Sequence, residues 1–216
     1  GLQAECAPDG VGTGGHRQKG PPGTDNPGHL RGSEIMGKLT FKALNGGTKQ
    51  IDDSTLAGLR AGVRGRVLDA ASPDFDTVRA IWNAMIDRKP ALIVQCSGAA
   101  DVAQVVRFAR DHDLLVAIRG GGHNIAGNAT CDGGLLIDLS GMKSVRVDPV
   151  ARRAWVGPGA TLADLDHETQ AFGLAVPTGI NSTTGIAGLT LGGGFGWITR
   201  KFGLTLDNLM SVEVVT

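Results

Sequence analysis

The residues best suited to chemistry stand together at positions 119–124, which read RGGGHN. They directly follow residues 114–118 (LLVAI), an apolar run that is typical of a buried strand. Glycines after such a strand let consecutive backbone N–H groups point into one concavity, an arrangement that suits a diphosphate. A histidine, His123, is the first side chain to return after them. The alternative interpretation is a glycine turn with a surface histidine.

A second glycine-rich segment covers residues 185–203, GIAGLTLGGGFGWITRKFG. Its glycines disfavour an ordinary stable helix, since each costs up to about 1 kcal/mol relative to alanine. The large apolar residues among them predict that the segment is buried: Leu189, Leu191, Phe195, Trp197 and Ile198. Buried backbone that is nearly free of side chains indicates close packing against a large flat partner. A tricyclic ring and a neighbouring helix both fit.

The elements that position these segments follow from hydrophobic periodicity. Helical spacing predicts a helix over residues 75–88, and a short apolar run predicts a strand over 91–96. A second helix over 100–113 and the strand 114–118 complete a βαβ unit. The two strands of such a unit are parallel and joined in a right-handed sense.

Shorter elements are predicted farther along the chain. Residues 135–140, 144–149 and 152–157 read as three strands, linked tightly enough to be antiparallel. Thr161 is expected to cap a helix that Gly173 ends. The last five residues, VEVVT, predict a strand that runs off the end of the sequence, which we expect to be a fragment of a longer fold.

The composition limits the class of protein. The chain has 216 residues, 41% hydrophobic and 19% charged, with 21 basic and 21 acidic residues. The balanced charge argues against nucleic-acid or membrane-surface binding. No signal-like or membrane-spanning apolar run occurs, so we expect a cytoplasmic protein without membrane contacts. Three cysteines without metal-ligand spacing predict neither a zinc site nor a disulfide framework.

The first 35 residues differ from the rest of the chain in composition. They hold nine glycines and four prolines but few large aliphatic residues, so we expect a disordered tail, with Met36 as the natural start. Residues 10–15 match G-x-G-x-x-G but have no strand before them, and residues 32–38 resemble a P-loop that lacks its Ser/Thr. Neither pattern predicts a nucleotide site. Residues 36–69 are expected to lead into the fold.

Residues 70–216 together resemble a known family. The stretches RGGGHNIAGNATCDGGLLIDLSGMKSVRVDP, VGPGATLADLDHETQAFGLAVPTG and TGIAGLTLGGGFGWITRKFGLTLDN occur in the order found in berberine bridge enzyme-like flavin oxidases. These belong to the para-cresol methylhydroxylase/vanillyl-alcohol oxidase group of FAD proteins. The resemblance implies an α+β fold: a two-lobed FAD-binding domain of the para-cresol methylhydroxylase type, incomplete at its C-terminus. Lobe one would cover about 70–134 and lobe two about 135–216.

The resemblance also implies a cofactor and its site. In the family the histidine that matches His123 is bonded through a ring nitrogen to the 8α carbon of the flavin, and the preceding glycines lie on the diphosphate. Such a bond raises the flavin's potential and favours hydride transfer from a substrate carbon. The residues expected to bind FAD are Arg119, Gly120, Gly121, Gly122, His123, Asn124, Gly127, Gly179, Thr183, Thr184, Gly185, Gly188, Leu189 and Gly192.

The sequence departs from the family at one position. Many relatives form a second bond to the flavin from a cysteine, and Asn181 stands there in this chain. We therefore expect a single covalent link, through His123. Thr184 aligns with a position near the oxygen-reacting face of the flavin, and its modest size leaves access for O2. The family's substrate domain is not present, so no catalytic acid or base is assigned.

Three functions remain open on the sequence. The first is an FAD-dependent oxidoreductase that takes hydride from an alcohol, amine or sugar carbon of a small molecule, with O2 as acceptor. The second is an inactive flavin-binding fragment that lacks the substrate domain. The third is an α+β interaction module without cofactor, which would leave the glycine clusters without a purpose.

Overall fold

The computed structural model describes residues 37–216, so the predicted tail and the two discarded nucleotide patterns lie outside or almost wholly outside the described residues. Eight strands and six helices are assigned, followed by a 3₁₀ turn at Leu206–Asn208. The strands are β1 Lys38–Lys42, β2 Thr48–Asp52, β3 Arg66–Leu68, β4 Leu92–Gln95, β5 Val116–Arg119, β6 Leu135–Asp138, β7 Val145–Asp148 and β8 Arg153–Val156. The helices are α1 Asp53–Gly62, α2 Phe75–Arg79, α3 Ala99–Asp111, α4 Leu162–Gln170, α5 Ile186–Leu191 and α6 Thr199–Phe202.

A four-stranded sheet in the order β3-β4-β6-β5 forms the centre of the first lobe. Strands β4 and β5 are joined through α3 as predicted, and each is parallel to β6, which lies between them. Strand β3 is antiparallel to β4 at one edge. The predicted βαβ unit is therefore confirmed, with an extra strand inserted between its two strands.

The prediction that residues 135–140 pair antiparallel with the next strand is wrong. All four residues of β6 are buried and pair parallel with both neighbours. A continuous apolar run is typical of a strand covered on both faces, and that signal outweighs the short connection to β7. Strand β6 therefore belongs to the same sheet as β4 and β5.

Helix α3 covers one face of this sheet. Its inward residues Asp101, Val105, Phe108 and Ala109 repeat at helical spacing, and the apolar ones join the main core cluster. The buried Asp101 carboxylate accepts backbone N–H groups of Arg64, Gly65 and Ser97 at 2.9–3.0 Å. These bonds tie the start of α3 to the segment that leads into β3.

The predicted helix over residues 75–88 is much shorter in the structure. Helix α2 ends at Arg79, and Ala80 is extended. The Trp82 N–H, which would bond to residue 78 in a helix, instead donates to the Gly122 carbonyl at 3.2 Å. Tertiary contacts with the glycine loop thus override the local helical periodicity, and Trp82 and Met85 are exposed.

The second lobe contains the β7-β8 hairpin and helices α4 and α5. Thr161 caps α4 as predicted: its side chain accepts the Asp164 N–H, and Asp164 accepts the Thr161 N–H in return. Gly173 closes the helix end with a φ of +66°. A small core of Ala160, Leu162, Leu165 and Ile186 joins these elements.

Three predictions for the C-terminal part are wrong. Glycines do not prevent a helix after residue 185, since α5 forms over six residues. Leu191, Phe195 and Trp197 were expected to be buried but are 68%, 74% and 86% exposed. The VEVVT residues form no strand, because no described strand lies beside them to pair with. Among residues 37–216, no helix is both long and apolar enough to cross a membrane.

Candidate functional site

The two glycine-rich segments meet backbone to backbone. A Cβ added to Gly121 would overlap the N and Cα of Gly185, and one added to Gly185 would overlap the N of Gly121. Gly120 similarly lies against the Pro158 carbonyl, where a Cβ would come within 2.8 Å of the oxygen. These glycines are therefore required by contacts within the chain itself.

A cavity of about 260 Å³ opens beside the first glycine segment. It lies between the end of β5, the segment after α2, and the loops that precede β7 and α4. Its lining is mixed: Val78, Ala80, Ile81, Trp82, Arg119, Gly120, Gly121, Gly122, Ser140, Lys143, Gly159 and Thr161. The cavity thus stands at the carboxyl end of a parallel strand, where ligands bind in many open sheets.

The backbone N–H groups of the glycine loop beside this cavity form no hydrogen bonds with the described residues. The N–H groups of Gly120, Gly121, Gly122 and His123 have no acceptor among the described residues. Gly122 has a φ of +72°, a conformation that turns the loop and that other residues rarely adopt. Successive unpaired N–H groups in such a turn are suited to hold an anion.

Arg119 does not direct its charge into the cavity. Its Nε and Nη2 donate to the two carboxylate oxygens of Asp138 at 3.1 and 2.7 Å, and both side chains are buried. Its Nη1 donates to the Ala80 carbonyl at 3.1 Å. Burial alone would raise the pKa of Asp138, but the bonds and charge of Arg119 hold that pKa below its ordinary value. The pair fixes the loop and is neutral as a unit.

Lys143 is the other cationic residue in the lining. Its Nζ lies 3.6 Å from Asp164 Oδ2, and the side chain is half exposed. The same carboxylate oxygen already accepts the Thr161 N–H and hydroxyl, each at 2.8 Å. The long contact to Asp164 leaves Lys143 free to turn toward an anion in the cavity.

His123 directly follows Gly122, which lines the cavity, and its ring lies between two side chains. Its imidazole stacks on the Trp82 indole with ring centroids 4.9 Å apart and planes at 21°. Its Nε2 lies 3.2 Å from Thr183 Oγ1, so the structure brings two predicted site residues together. Sequence reasoning missed Trp82, which it assigned to the apolar face of a longer helix.

The other predicted residues near the loop have roles within the chain. The side chain of Asn124 accepts the Asn128 N–H at 2.9 Å and closes a turn. Gly127 has a φ of +78°, and a Cβ there would come within 2.8 Å of Ile86. At Gly179 a Cβ would come within 2.6 Å of the Leu189 side chain.

The remaining residues lie along α5. Thr184 is half buried and accepts the Leu162 N–H through its carbonyl at 2.9 Å. Leu189 packs against the small core formed by Ala160, Leu162, Leu165 and Ile186. Gly192 ends the helix and donates to the Gly188 carbonyl at 3.1 Å. Gly188 differs from the others, since no atom lies within 4 Å of a Cβ placed there. Its backbone therefore faces open space.

Asn181 organises the turn before α5. Its Oδ1 accepts the N–H and hydroxyl of Thr183 at 3.2 and 2.9 Å, and its carbonyl accepts the Thr184 N–H. The two cysteines of the described part, Cys96 and Cys131, are buried. Burial raises the pKa of their thiols to about 12 and about 11. Neither stands ready as a thiolate, and residues 37–216 hold no cluster of metal-ligating side chains.

Comparison with known proteins identifies the fold. The FAD-binding domain family matches residues 90–216. The chain is 41% identical over 154 residues to (R)-6-hydroxynicotine oxidase of Paenarthrobacter nicotinovorans, which covers 71% of this chain and 34% of the relative.

Two solved structures agree with this assignment. BBE-like 1, a berberine bridge enzyme-like protein of Physcomitrella patens, is 31% identical with a TM-score of 0.66, over 71% of this chain and 34% of that one. Phl p 4, a grass pollen allergen with glucose dehydrogenase activity, is 29% identical with a TM-score of 0.67, over 72% of this chain and 35% of that one.

The chain spans about a third of the length of the relatives it matches. Within that third, the glycine loop, the capped helix α4 and the second glycine segment occur in the order that the family resemblance required. The chain belongs to the FAD-binding domain family of the berberine bridge enzyme-like FAD-linked oxidoreductases.

Proposed function

We propose that this chain supplies the FAD-binding part of an oxidase that takes hydride from an alcohol, amine or sugar carbon of a small molecule. The flavin is held covalently by His123, and O2 is the electron acceptor. The observation that carries the proposal is the row of unpaired backbone N–H groups at residues 120–123, which ends at the imidazole of His123. Relatives named as a nicotine oxidase and as an allergen with glucose dehydrogenase activity support the same reaction class.

The residues present fit FAD in several respects. The free N–H groups of Gly120, Gly121 and Gly122 suit its diphosphate, and Lys143 offers a positive charge in the same cavity. Gly188 adds a position where no neighbouring atom of the described residues lies within 4 Å of an added Cβ, so a flat ring system has room there. Arg119, which the sequence assigned to the cofactor, lines the same cavity and fixes the loop through Asp138.

When bound, FAD supplies a hydride acceptor at N5 of its ring. The chain's own residues would bind and orient FAD: the glycine loop would hold its diphosphate, and His123 would anchor its ring through one imidazole nitrogen. The link is single because Asn181 stands where relatives carry a second cysteine, and its amide is engaged by Thr183. Thr184, half buried in the same turn, leaves access for O2.

No residue of this chain is assigned as the catalytic base. The relatives are about twice as long as this chain, which matches about a third of their length, and we propose that the groups that act on substrate belong to the part outside it. Without that part, water reaches the flavin face and no base is positioned for hydride transfer. We therefore propose that the chain alone is an inactive flavin-binding unit and that the longer protein is the enzyme.

The test is a hybrid protein in which the 154 residues of this chain that match (R)-6-hydroxynicotine oxidase replace the corresponding third of that enzyme. Addition of (R)-6-hydroxynicotine without air should bleach the visible flavin absorbance, and readmitted O2 should restore it with formation of peroxide. A hybrid that folds and holds flavin but is not bleached by (R)-6-hydroxynicotine would contradict the proposed reaction, and reoxidation without peroxide would contradict O2 as the two-electron acceptor. A panel of alcohols, amines and sugars tested on the longer protein that contains this chain then samples the substrate class.

A further inference from the structure

Residues 80–82, here called the strap, are fastened to the glycine loop at three points. The Ala80 carbonyl accepts Arg119 Nη1 at 3.1 Å, and the Trp82 N–H donates to the Gly122 carbonyl at 3.2 Å. The third contact is the stack of Trp82 on His123. Because Arg119 is paired with the fully buried Asp138, the strap is tied to the centre of the sheet.

The other side of the His123 ring is held by a hydroxyl whose direction can be assigned. Thr183 Oγ1 donates its one proton to Asn181 Oδ1 at 2.9 Å. Toward His123 Nε2, 3.2 Å away, the same oxygen can then only accept. In the neutral imidazole, Nε2 therefore carries the ring proton and Nδ1 carries the lone pair. No described residue forms a hydrogen bond to Nδ1.

We infer that Trp82 and Thr183 are positioning residues that present Nδ1 of His123 as the reactive ring nitrogen. The indole fixes the plane of the imidazole, and the hydroxyl fixes its tautomer. Stacking does not block the reaction, because the lone pair of Nδ1 lies in the plane of the ring, away from the covered face. The inference rests on the proposed function, in which His123 is the residue that attaches flavin.

The exposure of Trp82 supports a role in orientation rather than in stability. The side chain belongs to no core cluster and is 61% exposed, although it is a large apolar group. Substitutions at such surface positions have little effect on folding. Trp82→Leu should accordingly leave the unfolding midpoint nearly unchanged while it frees the imidazole to rotate.

The experiment uses iodoacetamide on the 216-residue chain, without flavin. Nδ1 or Nε2 attacks the methylene carbon, iodide leaves, and the proton on the other nitrogen is lost to solvent. After digestion, the two alkylated isomers of the peptide that contains residue 123 are separated and counted. The same chain unfolded in urea gives the ratio for an unconstrained histidine.

Relative to the unfolded chain, we expect the native chain to favour Nδ1 by about five-fold, the factor that one net hydrogen bond supplies. Trp82→Leu and Thr183→Val should return the ratio to that of the unfolded chain, whereas Trp82→Phe should keep the native ratio because it keeps an aromatic face. Trp197→Leu is the matched control, since Trp197 is exposed and not stacked on His123. It should keep the native ratio as well.

Three results would overturn the inference. These are a native ratio equal to the unfolded one, a Trp82→Leu ratio equal to the native one, and no alkylation of His123 in the folded chain. Attachment of flavin is read separately on the hybrid protein, by the mass of the same peptide after incubation with FAD. Selective alkylation without flavin attachment would uphold the positioning and count against the proposed function, so the two failures can be told apart.

Discussion

Gly121 and Gly185 are in backbone contact, so close that neither position has room for a Cβ. Gly121 belongs to the loop after β5, and Gly185 precedes α5 in the second lobe. His123 and Thr183 each stand two positions from this contact, which explains how residues far apart in sequence bring Nε2 and Oγ1 within 3.2 Å. The contact sets the geometry of the whole site.

Alanine at either contact position should destabilise the fold. For Gly121→Ala and Gly185→Ala we expect a loss of about 1–3 kcal/mol in the free energy of unfolding, because the added methyl meets rigid backbone. Urea titration measures the loss. Gly188→Ala is the matched control: its Cβ meets nothing, so its free energy of unfolding should stay the same or rise by up to about 1 kcal/mol. Equal effects at all three positions would contradict the packing described.

The buried Arg119–Asp138 pair should make stability depend on acid. The Asp138 pKa is lowered in the folded chain, so its stabilisation is complete above the unfolded-state value of about 3.9 and is lost as the pH falls below it. Asp138→Asn should cost about 3–5 kcal/mol at pH 7, since it leaves Arg119 buried without its partner charge. As the pH falls from 5 to about 3, the stability of Asp138→Asn should then decrease less steeply than that of the unmodified chain.

Urea unfolding at several pH values checks this expectation. Asp111→Asn is the comparison, because Asp111 is exposed and pairs with an exposed Arg110. It should change stability little at any pH. A pH profile of Asp138→Asn identical to that of the unmodified chain would show that this pair does not cause the acid sensitivity.

Lys143 should contribute to binding of a diphosphate. We expect the chain to bind ADP weakly at the cavity and Lys143→Gln to raise the Kd about five-fold, the effect of one exposed charge worth about 1 kcal/mol. The effect should shrink at high salt. Calorimetry measures the Kd for ADP at low and at high salt. Lys49→Gln is the matched control, since Lys49 also pairs with an aspartate at the surface but does not line the cavity.

Two outcomes would count against this use of Lys143. Equal Kd values for Lys143→Gln and the unmodified chain would mean that the backbone N–H groups act alone. Absence of any ADP binding would mean that the cavity beside the glycine loop is not a diphosphate site in this chain.

The chain by itself should be a poor flavoprotein. Large apolar side chains are exposed along its C-terminal part, among them Leu191, Phe195 and Trp197, and such a surface favours aggregation. We expect low solubility, little bound FAD and no substrate-dependent peroxide. The hybrid protein should gain solubility, bound FAD and substrate-dependent formation of peroxide together. Stoichiometric covalent flavin and steady turnover in the isolated chain would contradict this expectation.

Much of the fold was predictable because its signals are local. Strand β4, helix α3 and the Thr161 cap follow from apolar spacing and from capping chemistry within a few residues. The early end of α2 was not predictable, because it depends on Trp82 and Ala80 bonding to a loop that comes much later in the sequence. The position of β6 was missed for a similar reason, although its four buried residues carried a usable signal.

The candidate site was likewise predictable only in part. The sequence pointed to His123 and the glycines because residue type and order alone define that pattern, and the structure brings His123 and Thr183 together. Arg119 was expected at the cofactor but turns to Asp138, a partner that only the sheet register supplies. Trp82 and Lys143 were missed because nothing near them in sequence shows that they reach the cavity.

The most direct measurement of the central claim is peptide mass spectrometry on the hybrid protein after incubation with FAD. We predict one FAD adduct, on the peptide that contains His123, and flavin that is released by acid when His123 is replaced by alanine. An adduct on a cysteine peptide, a second adduct, or flavin that resists acid in His123→Ala would contradict attachment through this histidine alone.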